Sequence, residues 1–298
     1  MSSIFELKHH SGARAEVNLF GATLTSFYTA AEPQRNVLFV SKQAALDGTK
    51  PIRGGVPLVF PVFGSAAGFP NHGFARTSTE WKVAAVEQTV GDAESPAVAK
   101  FTMGANDATR AMRPHEFELV YEVRLFADRL ITALHVDNKS STDISFQALL
   151  HTYLSIPDVR NEGCLVQGLQ GVEYTDKLTN AVKKEDREAI GFAAETDSVY
   201  ANAPSVVTVV TKCPNSGVPR MTTVEKASFL NHDPKNHAQP SDVVVWNPWI
   251  NKSKGMSDFG DEEYINMVCI EPGRVSTPQQ LAPGKTYTLQ QTITTSKL

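Results

Sequence analysis

Cysteine is scarce in this sequence, and long hydrophobic runs are missing. The 298 residues include three cysteines, Cys164, Cys213 and Cys269, with no two close together. An odd and widely spaced set of cysteines excludes a disulfide framework and a zinc ribbon, and it favours a reducing compartment. No apolar stretch reaches the roughly 18 residues that a membrane-spanning helix needs, so we expect no such helix.

An excess of charge of one sign is also lacking. The chain has 28 Lys and Arg residues against 32 Asp and Glu residues, a formal net charge of −4 at pH 7. This near balance predicts no general affinity for nucleic acid or for an anionic membrane surface. Helical patterns are few as well. Residues 41–47 are expected to form at most one short turn, and the polar residues 179–189 are expected to be a surface loop.

The sequence is rich in alternating patterns. From residue 117 to 125 the odd positions are Phe, Leu, Tyr, Val and Leu, and Glu118, Glu122 and Arg124 lie between them. A period of two predicts a strand with one buried face. Enrichment in β-branched and aromatic residues predicts further strands at residues 130–136, 144–150, 206–211, 243–246, 264–270 and 287–294. Many strands and few helices predict one all-β domain over residues 1–298, a large antiparallel two-sheet β-sandwich.

Two segments near residues 50–80 combine polar groups with glycine. Arg53 precedes Gly54 and Gly55, which puts a guanidinium with five donors beside a backbone that a ligand can approach closely. A surface arginine that closes a turn explains this segment equally well. The second segment, residues 71–76, holds Asn71, His72 and Arg76 around a glycine. Such a cluster can bind a sugar hydroxyl and a phosphate together, although by composition alone a polar surface loop is the simpler interpretation.

His151 and Glu271 follow hydrophobic strand patterns. His151 continues the predicted strand at residues 144–150 and can present a titrating imidazole to a cleft; a half-buried histidine without a chemical role is the simpler interpretation. Glu271 closes an apolar run, and Pro272 and Gly273 are expected to break the strand, so that Glu271 lies at the mouth of a sheet. Burial there would raise its pKa and suit it to proton transfer, whereas a salt bridge to Arg274 is the alternative.

Seven segments, in order along the chain, resemble the hexose-6-phosphate mutarotases, also called glucose-6-phosphate 1-epimerases, of the aldose 1-epimerase (galactose mutarotase-like) superfamily. They are RGGVPLVFPVFG at 53–64, HGFAR at 72–76, PHEFEL at 114–119, LHTY at 150–153, DSVY at 197–200, VWNPW at 245–249 and CIEPG at 269–273. One such segment is weak support, but seven in order favour the functional interpretation of Arg53, His72, Arg76, His151 and Glu271.

The resemblance implies an antiparallel β-sandwich that interconverts the α and β anomers of glucose 6-phosphate without a metal or an organic cofactor. By resemblance, Glu271 is the base that takes the proton of the C1 hydroxyl, and His151 is the acid that protonates the ring oxygen. His72 would lie near the sugar ring and orient it. General acid–base catalysis of this kind works near neutral pH when the pKa values of both groups are tuned towards 7.

The resemblance also assigns the substrate-binding positions. Arg53 and Arg76 correspond to phosphate ligands, and two unpaired guanidinium groups in a sugar site would be costly to desolvate without an anion. Asp197 corresponds to a partner of the sugar hydroxyls. Asn71 is included among the binding residues, but it stands where the family has glutamine, and its shorter side chain leaves a direct phosphate contact open.

Three other functions fit parts of the sequence. A sugar-phosphate-binding β-sandwich without catalysis would need the arginines but not His151 and Glu271. A metal-dependent sugar-phosphate isomerase of the β-barrel type would need a close His-x-His, which the sequence lacks. The same mutarotation of unphosphorylated hexoses would not need two guanidinium groups.

The C-terminal residues predict a location in the cell. The sequence ends in Ser296-Lys297-Leu298, the tripeptide that the peroxisomal import receptor binds. We therefore expect a protein of the peroxisome or of the related glycosome, or a cytoplasmic one if the signal is not used. We expect a monomer whose partners are the hexose 6-phosphate substrate and this receptor.

Overall fold

A computed structural model of the chain describes residues 3–88, 94–212 and 218–297. Strands account for nearly half of these residues, and the two short α-helices among them are α1 (Asp107–Met112) and α2 (Trp249–Lys254). The strands, in chain order, are β1 (Ile4–Lys8), β2 (Arg14–Asn18), β3 (Thr23–Tyr28), β4 (Leu58–Val59), β5 (Lys82–Gln88), β6 (Ala97–Gly104), β7 (Phe117–Leu125), β8 (Arg129–Asn138), β9 (Ile144–Leu150), β10 (Tyr153–Ser155), β11 (Cys164–Gln167), β12 (Glu173–Asp176), β13 (Ala181–Lys184), β14 (Ala189–Ile190), β15 (Thr196–Tyr200), β16 (Val206–Thr211), β17 (Arg220–Leu230), β18 (Asp242–Asn247), β19 (Met267–Leu281) and β20 (Thr286–Lys297).

The strands form two large sheets and one small sheet. The first large sheet has the order β13-β12-β15-β18-β19-β9-β4, and β10 also pairs with β19. The second has the order β14-β11-β16-β17-β20-β8-β7-β6-β5, and β1, β2 and β3 form the small sheet. The named strands pair antiparallel, as in the ladders β18–β19 and β17–β20. The predicted all-β antiparallel fold is confirmed, and the small third sheet is an addition to it.

The two large sheets face each other across a hydrophobic core. Phe146 of β9 packs edge-on against Tyr287 of β20, with ring centroids 5.6 Å apart. Nearby, the Thr152 hydroxyl donates to Gln291 Oε1 of β20 at 2.8 Å. The buried cluster draws side chains from all three sheets, so the alternating patterns in the sequence serve to fill this interior.

Several predicted strands match the observed ones. β7, β9 and β16 have the predicted bounds, and residues 130–136, 243–246 and 287–294 lie within β8, β18 and β20. Residues 41–47 contain one turn, as expected, in which Ala44 N–H donates to Ser41 O at 3.1 Å. The expected surface loop at residues 179–189 is wrong in part, because it contains β13 and the start of β14.

The prediction around Glu271 needs two corrections. A 3₁₀ turn occupies Glu263–Asn266, so the strand begins at Met267 instead of residue 264. Pro272 and Gly273 do not end it, since β19 continues to Leu281. Ile270 N–H points towards the segment that joins β9 and β10, where it donates to Thr152 O. In a strand, backbone nitrogens two residues apart point to the same side, so the nitrogen of Pro272 also points towards this joining segment. The strand pairing is interrupted there, and the missing N–H of proline therefore costs no hydrogen bond of the sheet.

The cysteines and the C-terminal tripeptide were also singled out in the sequence, and the structure gives the positions of most of them. Cys164 and Cys269 are buried free thiols, and Cys213 lies outside the described residues. Ser296 and Lys297 belong to β20 and pair with Met221 and Arg220 of β17; Leu298 lies outside the described residues. In the described ranges, no helix is long and apolar enough to cross a membrane.

Candidate active site

The register of the first large sheet builds the floor of a cavity. Asp197 of β15 lies opposite Trp246 of β18, Trp246 opposite Cys269 of β19, and Cys269 opposite Tyr153 of β10. Residues directly opposite each other in an antiparallel ladder project from the same face. Glu271 follows Cys269 by two residues and therefore shares this face. Four neighbouring strands thus bring polar and aromatic side chains together on one surface.

His151 joins this surface from the segment between β9 and β10. Its Nδ1 lies 3.2 Å from Glu271 Oε1, and the side chains of the two residues are only 10% and 1% exposed. The ring is held by parallel stacking on Tyr153, with centroids 4.7 Å apart, and by edge contact with Trp246. Within the described part of the chain, His151 Nδ1 and Glu271 Oε2 make no hydrogen bond. The pair is therefore close, fixed and incompletely satisfied.

Burial shifts the pKa values of this pair in opposite directions. Removal from water raises the pKa of Glu271 well above its usual range, and the nearby Asp197 carboxylate raises it further. Removal from water lowers the pKa of His151 well below its usual range, with smaller contributions from His72, Arg76 and Arg53. Both shifts favour the uncharged form of each side chain. The pKa of Glu271 therefore shifts in the expected direction, upwards from its usual range, whereas the pKa of His151 shifts away from 7.

Arg53 enters the cavity from a wall that two glycines shape. A Cβ on Gly54 would lie 2.4 Å from Val40 Cα, and one on Gly55 would lie 2.1 Å from Leu24 O. The close backbone approach is thus made by the protein itself and not by a ligand, which corrects the sequence interpretation. The Arg53 guanidinium donates to Asp258 at 3.2 Å, while its Nε has no partner among the described residues.

His72 has a defined tautomer. The backbone N–H of Gly64 donates to His72 Nδ1 at 3.2 Å, so the proton of the neutral ring is on Nε2. Burial, helped by the positive charge of Arg76, lowers the pKa of His72 to about 3. The ring is therefore a neutral hydrogen-bond donor near neutral pH. Its backbone has a φ of +62°, a conformation that a histidine adopts at some cost.

Arg76 is bonded to the chain segment that carries His72. Its Nη2 donates to Asn71 O at 2.7 Å, and Arg76 is only 9% exposed. Its Nε finds no hydrogen-bond partner within the described ranges. Burial lowers its pKa to about 10, so the guanidinium stays charged at neutral pH and adds a positive field to the cavity.

The cavity has a volume of about 230 Å³. Six of the seven predicted site residues line it, and Arg76 is bonded to one of them, Asn71. The lining residues are Arg53, Phe63, Asn71, His72, His151, Asp197, Val244, Trp246, Lys252, Met256 and Glu271. A pocket with apolar and aromatic walls and a few converging polar groups is the usual form of a small-molecule site. The structure therefore brings the predicted residues to one place.

Several residues of the site were not assigned a role from the sequence. Lys252 of α2 lines the cavity and forms a 3.2 Å ion pair with Glu195. Burial raises the pKa of Asp197, and the positive charge of Lys252 opposes this shift. Trp246 lies in the VWNPW segment, which gave the resemblance but no function for this ring. Cys269 could have been recognised, because period-two alternation puts it on the face of Glu271.

One group of side chains has the donors that a metal ion would need. Ligand atoms of His151, Cys269 and Glu271 all lie within 4.8 Å of one another, and among the described residues this is the group that meets such a spacing. All three side chains are buried. Two members of this group are the closely spaced His151 and Glu271 described above.

Fold and site together define an enzyme-like cavity that holds a carboxyl and an imidazole side by side. The family model described as aldose 1-epimerase matches residues 3–294. The chain belongs to the aldose 1-epimerase family.

Relatives and solved structures agree with this assignment. A protein of Cenchrus ciliaris with the provisional name glucose-6-phosphate 1-epimerase is 32% identical over 286 residues, which cover 93% of this chain and 80% of the relative. An Escherichia coli protein with the same provisional name is 30% identical over 291 residues, covering 97% and 89%. The crystal structure of YeaD, provisionally named a mutarotase, from Salmonella typhimurium is similar with a TM-score of 0.83 and 27% identity, covering 99% of this chain and 90% of that one.

Proposed function

We propose that this protein interconverts the α and β anomers of hexose 6-phosphates, glucose 6-phosphate foremost, and that Glu271 and His151 transfer the protons. The observation that carries the proposal is the 3.2 Å approach of His151 Nδ1 to Glu271 Oε1 in a cavity that both residues line. Membership of the aldose 1-epimerase family supports the reaction. The provisional names of the relatives support the phosphorylated substrate.

The reaction needs one proton to be taken up and one to be given. In ring opening, the Glu271 carboxylate takes the proton of the C1 hydroxyl while protonated His151 gives its proton to the ring oxygen, and the bond between C1 and that oxygen breaks. Glu271 is then a carboxylic acid and His151 is neutral. After rotation about the C1–C2 bond, the same two transfers run in reverse and close the ring on the other face of the carbonyl.

The His151–Glu271 pair has two protonation states in this cycle, and they differ only in which side chain holds one proton. The uncharged pair that burial favours is the state that accompanies the open-chain sugar. Arg76 and Arg53 are among the groups that hold the pKa of His151 low. A phosphate dianion near these arginines would offset their field and make protonation of His151 easier, which prepares the pair for ring opening.

Arg53 and Arg76 are the phosphate ligands in this proposal. Each has a buried Nε without a hydrogen-bond partner among the described residues, and an unsatisfied guanidinium nitrogen favours an anionic acceptor. His72 would donate from Nε2 to a sugar oxygen, and Asp197 would accept from the hydroxyls. Asn71 lies exposed at the rim, where it contacts the substrate in this proposal without a defined phosphate bond.

Anomer exchange measured by two-dimensional NMR tests the function. We expect the protein to accelerate the exchange of glucose 6-phosphate and to leave glucose, at equal concentration, at its uncatalysed rate. Equal acceleration of both sugars would contradict the phosphate-binding role of the arginines. Line broadening of glucose 6-phosphate without faster exchange would contradict catalysis and identify a sugar-phosphate-binding protein.

We also propose that Ser296-Lys297-Leu298 directs the protein to the peroxisome or glycosome wherever Leu298 is the final residue. Ser296 and Lys297 are paired with β17, so the receptor would have to release them from the sheet. Imaging an N-terminally tagged protein with and without residues 296–298 tests this. Import that depends on the tripeptide is expected, and identical staining of both forms would contradict it.

A further inference from the structure

The buried thiol of Cys269 has no part in the proton transfers above, yet it lies in the same place. Cys269 and Glu271 project from the same face of β19, and His151 lies across from them. Their ligand atoms, one sulfur, one nitrogen and one oxygen, lie within 4.8 Å of one another. His151 Nδ1 and Glu271 Oε2 are buried and lack hydrogen-bond partners in the described ranges. Two buried coordinating atoms that make no hydrogen bond therefore lie beside a thiol.

We propose that Cys269, His151 and Glu271 form a binding site for a soft divalent metal ion, Zn²⁺ or Cd²⁺, at the floor of the cavity. A cysteine, a histidine and a carboxylate are all common zinc ligands, and three protein ligands leave a fourth position open. Thiolate favours zinc and cadmium over magnesium and calcium, which prefer oxygen ligands. The ion enters from the cavity, which Glu271 and His151 line.

Charge balance explains why a buried, partly cationic site can accept such an ion. Bound cysteine and glutamate coordinate as thiolate and carboxylate, and histidine coordinates as a neutral imidazole. The two negative charges of these ligands balance one divalent cation, so the occupied site is neutral. The positive charges of Arg53 and Arg76 therefore oppose binding far less than they would oppose an added cation.

The bound ion has a consequence for the reaction. An ion held by Glu271 and His151 occupies both proton-transfer groups, so it inhibits mutarotation and competes with the sugar phosphate. This consequence rests on the proposed function, whereas the binding of the metal does not. The site is thus an inhibitory one and is distinct from a catalytic metal centre.

Titration of the full chain with Cd²⁺ tests the binding site, because a cadmium–thiolate bond has a charge-transfer absorption in the ultraviolet. Cys164 is the matched control, since it is a fully buried free thiol in β11 of the other large sheet. We expect the wild type and Cys164→Ser to develop the band with one Cd²⁺ per chain, and Cys269→Ser to lack it. A band of full size in Cys269→Ser would overturn the proposal.

Two further variants keep the test decisive if Cys269→Ser unfolds. His151→Asn and Glu271→Gln both retain the thiol, and each should weaken Cd²⁺ binding at least about 10-fold. Unchanged affinity in both would overturn the three-ligand site. Inhibition of glucose 6-phosphate exchange by Zn²⁺ is measured separately. If the wild type shows no exchange at all, the proposed function fails while the absorption band still decides the metal site.

Discussion

Two buried carboxyl groups on the neighbouring strands β18 and β19 differ in their hydrogen bonds. Asp242 is fully buried and accepts bonds from Val275 N–H, Ser276 N–H, Ser276 Oγ–H and Asn202 N–H at 2.7 to 3.0 Å. Glu271 is 1% exposed, and in the described part of the chain its Oε2 has no partner. A satisfied buried carboxylate stabilises the fold, whereas an unsatisfied one is costly and is kept for a ligand or for chemistry.

Buried cations show the same contrast. The Lys226 ammonium donates to Ala203 O, Ser241 O and Ser241 Oγ at 2.8 to 2.9 Å, which uses all three of its protons. Arg53 and Arg76 each keep one buried nitrogen unpaired within the described ranges. Lys226 and Arg76 are buried to a similar extent, at 6% and 9% exposure. Lys226 is thus fully bonded and holds two loops in place, whereas Arg53 and Arg76, near the cavity, each keep a nitrogen that a ligand could bind.

The largest expected effect separates the two carboxyl groups by activity. Glu271→Gln should lower the turnover of glucose 6-phosphate at least about 100-fold, because an amide cannot take the C1 hydroxyl proton. Asp242→Asn is the matched control: it should lower the free energy of unfolding by about 2 kcal/mol and keep turnover within a few fold. Exchange NMR and urea unfolding measure the two quantities. A Glu271→Gln variant as active as the wild type would contradict the proposed difference in role between Glu271 and Asp242.

His151→Asn should also lower turnover at least about 100-fold, since the amide cannot exchange a proton with the ring oxygen. The ring contacts with Tyr153 and Trp246 are lost in this variant, so its thermal unfolding is the necessary control. A folded His151→Asn protein with a near-normal rate would remove His151 from the mechanism. It would also leave Glu271 as the one proton-transfer group of the cavity.

Arg76→Ala should mainly weaken binding of the phosphorylated substrate. Loss of one charged contact costs about 2 kcal/mol, which raises KM for glucose 6-phosphate about 30-fold. The comparison sugar is glucose, whose weak binding should hardly change. Equal losses for both sugars would show that Arg76 acts by supporting Asn71 O and not by binding phosphate.

The smallest effect concerns stability and pH. The pKa of Glu271 is raised in the folded protein, so at a pH above the unfolded value of 4.5 the folded state holds a proton that the unfolded state has lost. The contribution of Glu271 to stability is therefore lost as pH rises through this range, and Glu271→Gln lacks this loss. We expect the free energy of unfolding of Glu271→Gln, measured in urea, to rise relative to that of the wild type between pH 4 and pH 8. A stability difference that stays constant with pH would contradict the raised pKa.

The sequence predicts the regular strands well because their side chains alternate between core and solvent. β7 has this pattern throughout, and its bounds follow from it. β13 was missed because its side chains are mostly exposed and do not alternate between core and solvent. It is a strand because its backbone pairs with β12, and the sequence of β13 alone does not predict this pairing. The prediction that Pro272 ends the strand was wrong because Pro272 faces the gap between β9 and β10, where no N–H donor is needed. That gap depends on the tertiary structure and cannot be read from the sequence around Pro272.

The site could be predicted only in part from residue types. Glu271, His151 and Arg53 stand out in the sequence because polar residues interrupt apolar patterns. The pairing of Arg53 with Asp258 joins segments that are far apart in the sequence. The bond from Gly64 that fixes the tautomer of His72 depends on the path of one irregular loop, so no periodic pattern predicts either contact. The contribution of Lys252 likewise depends on how α2 packs over the sheet. Sequence identifies candidate groups, and tertiary contacts decide which hydrogen bonds remain open.

The central claim is that Glu271 and His151 share a single proton and that burial keeps the free pair uncharged. Infrared difference spectroscopy of the wild type against Glu271→Gln at neutral pH tests it directly. The account predicts that the wild type has the C=O band of a protonated carboxyl group and that the variant lacks this band. If the difference spectrum instead shows the loss of an ionised carboxylate alone, Glu271 is charged in the free cavity and the account is contradicted.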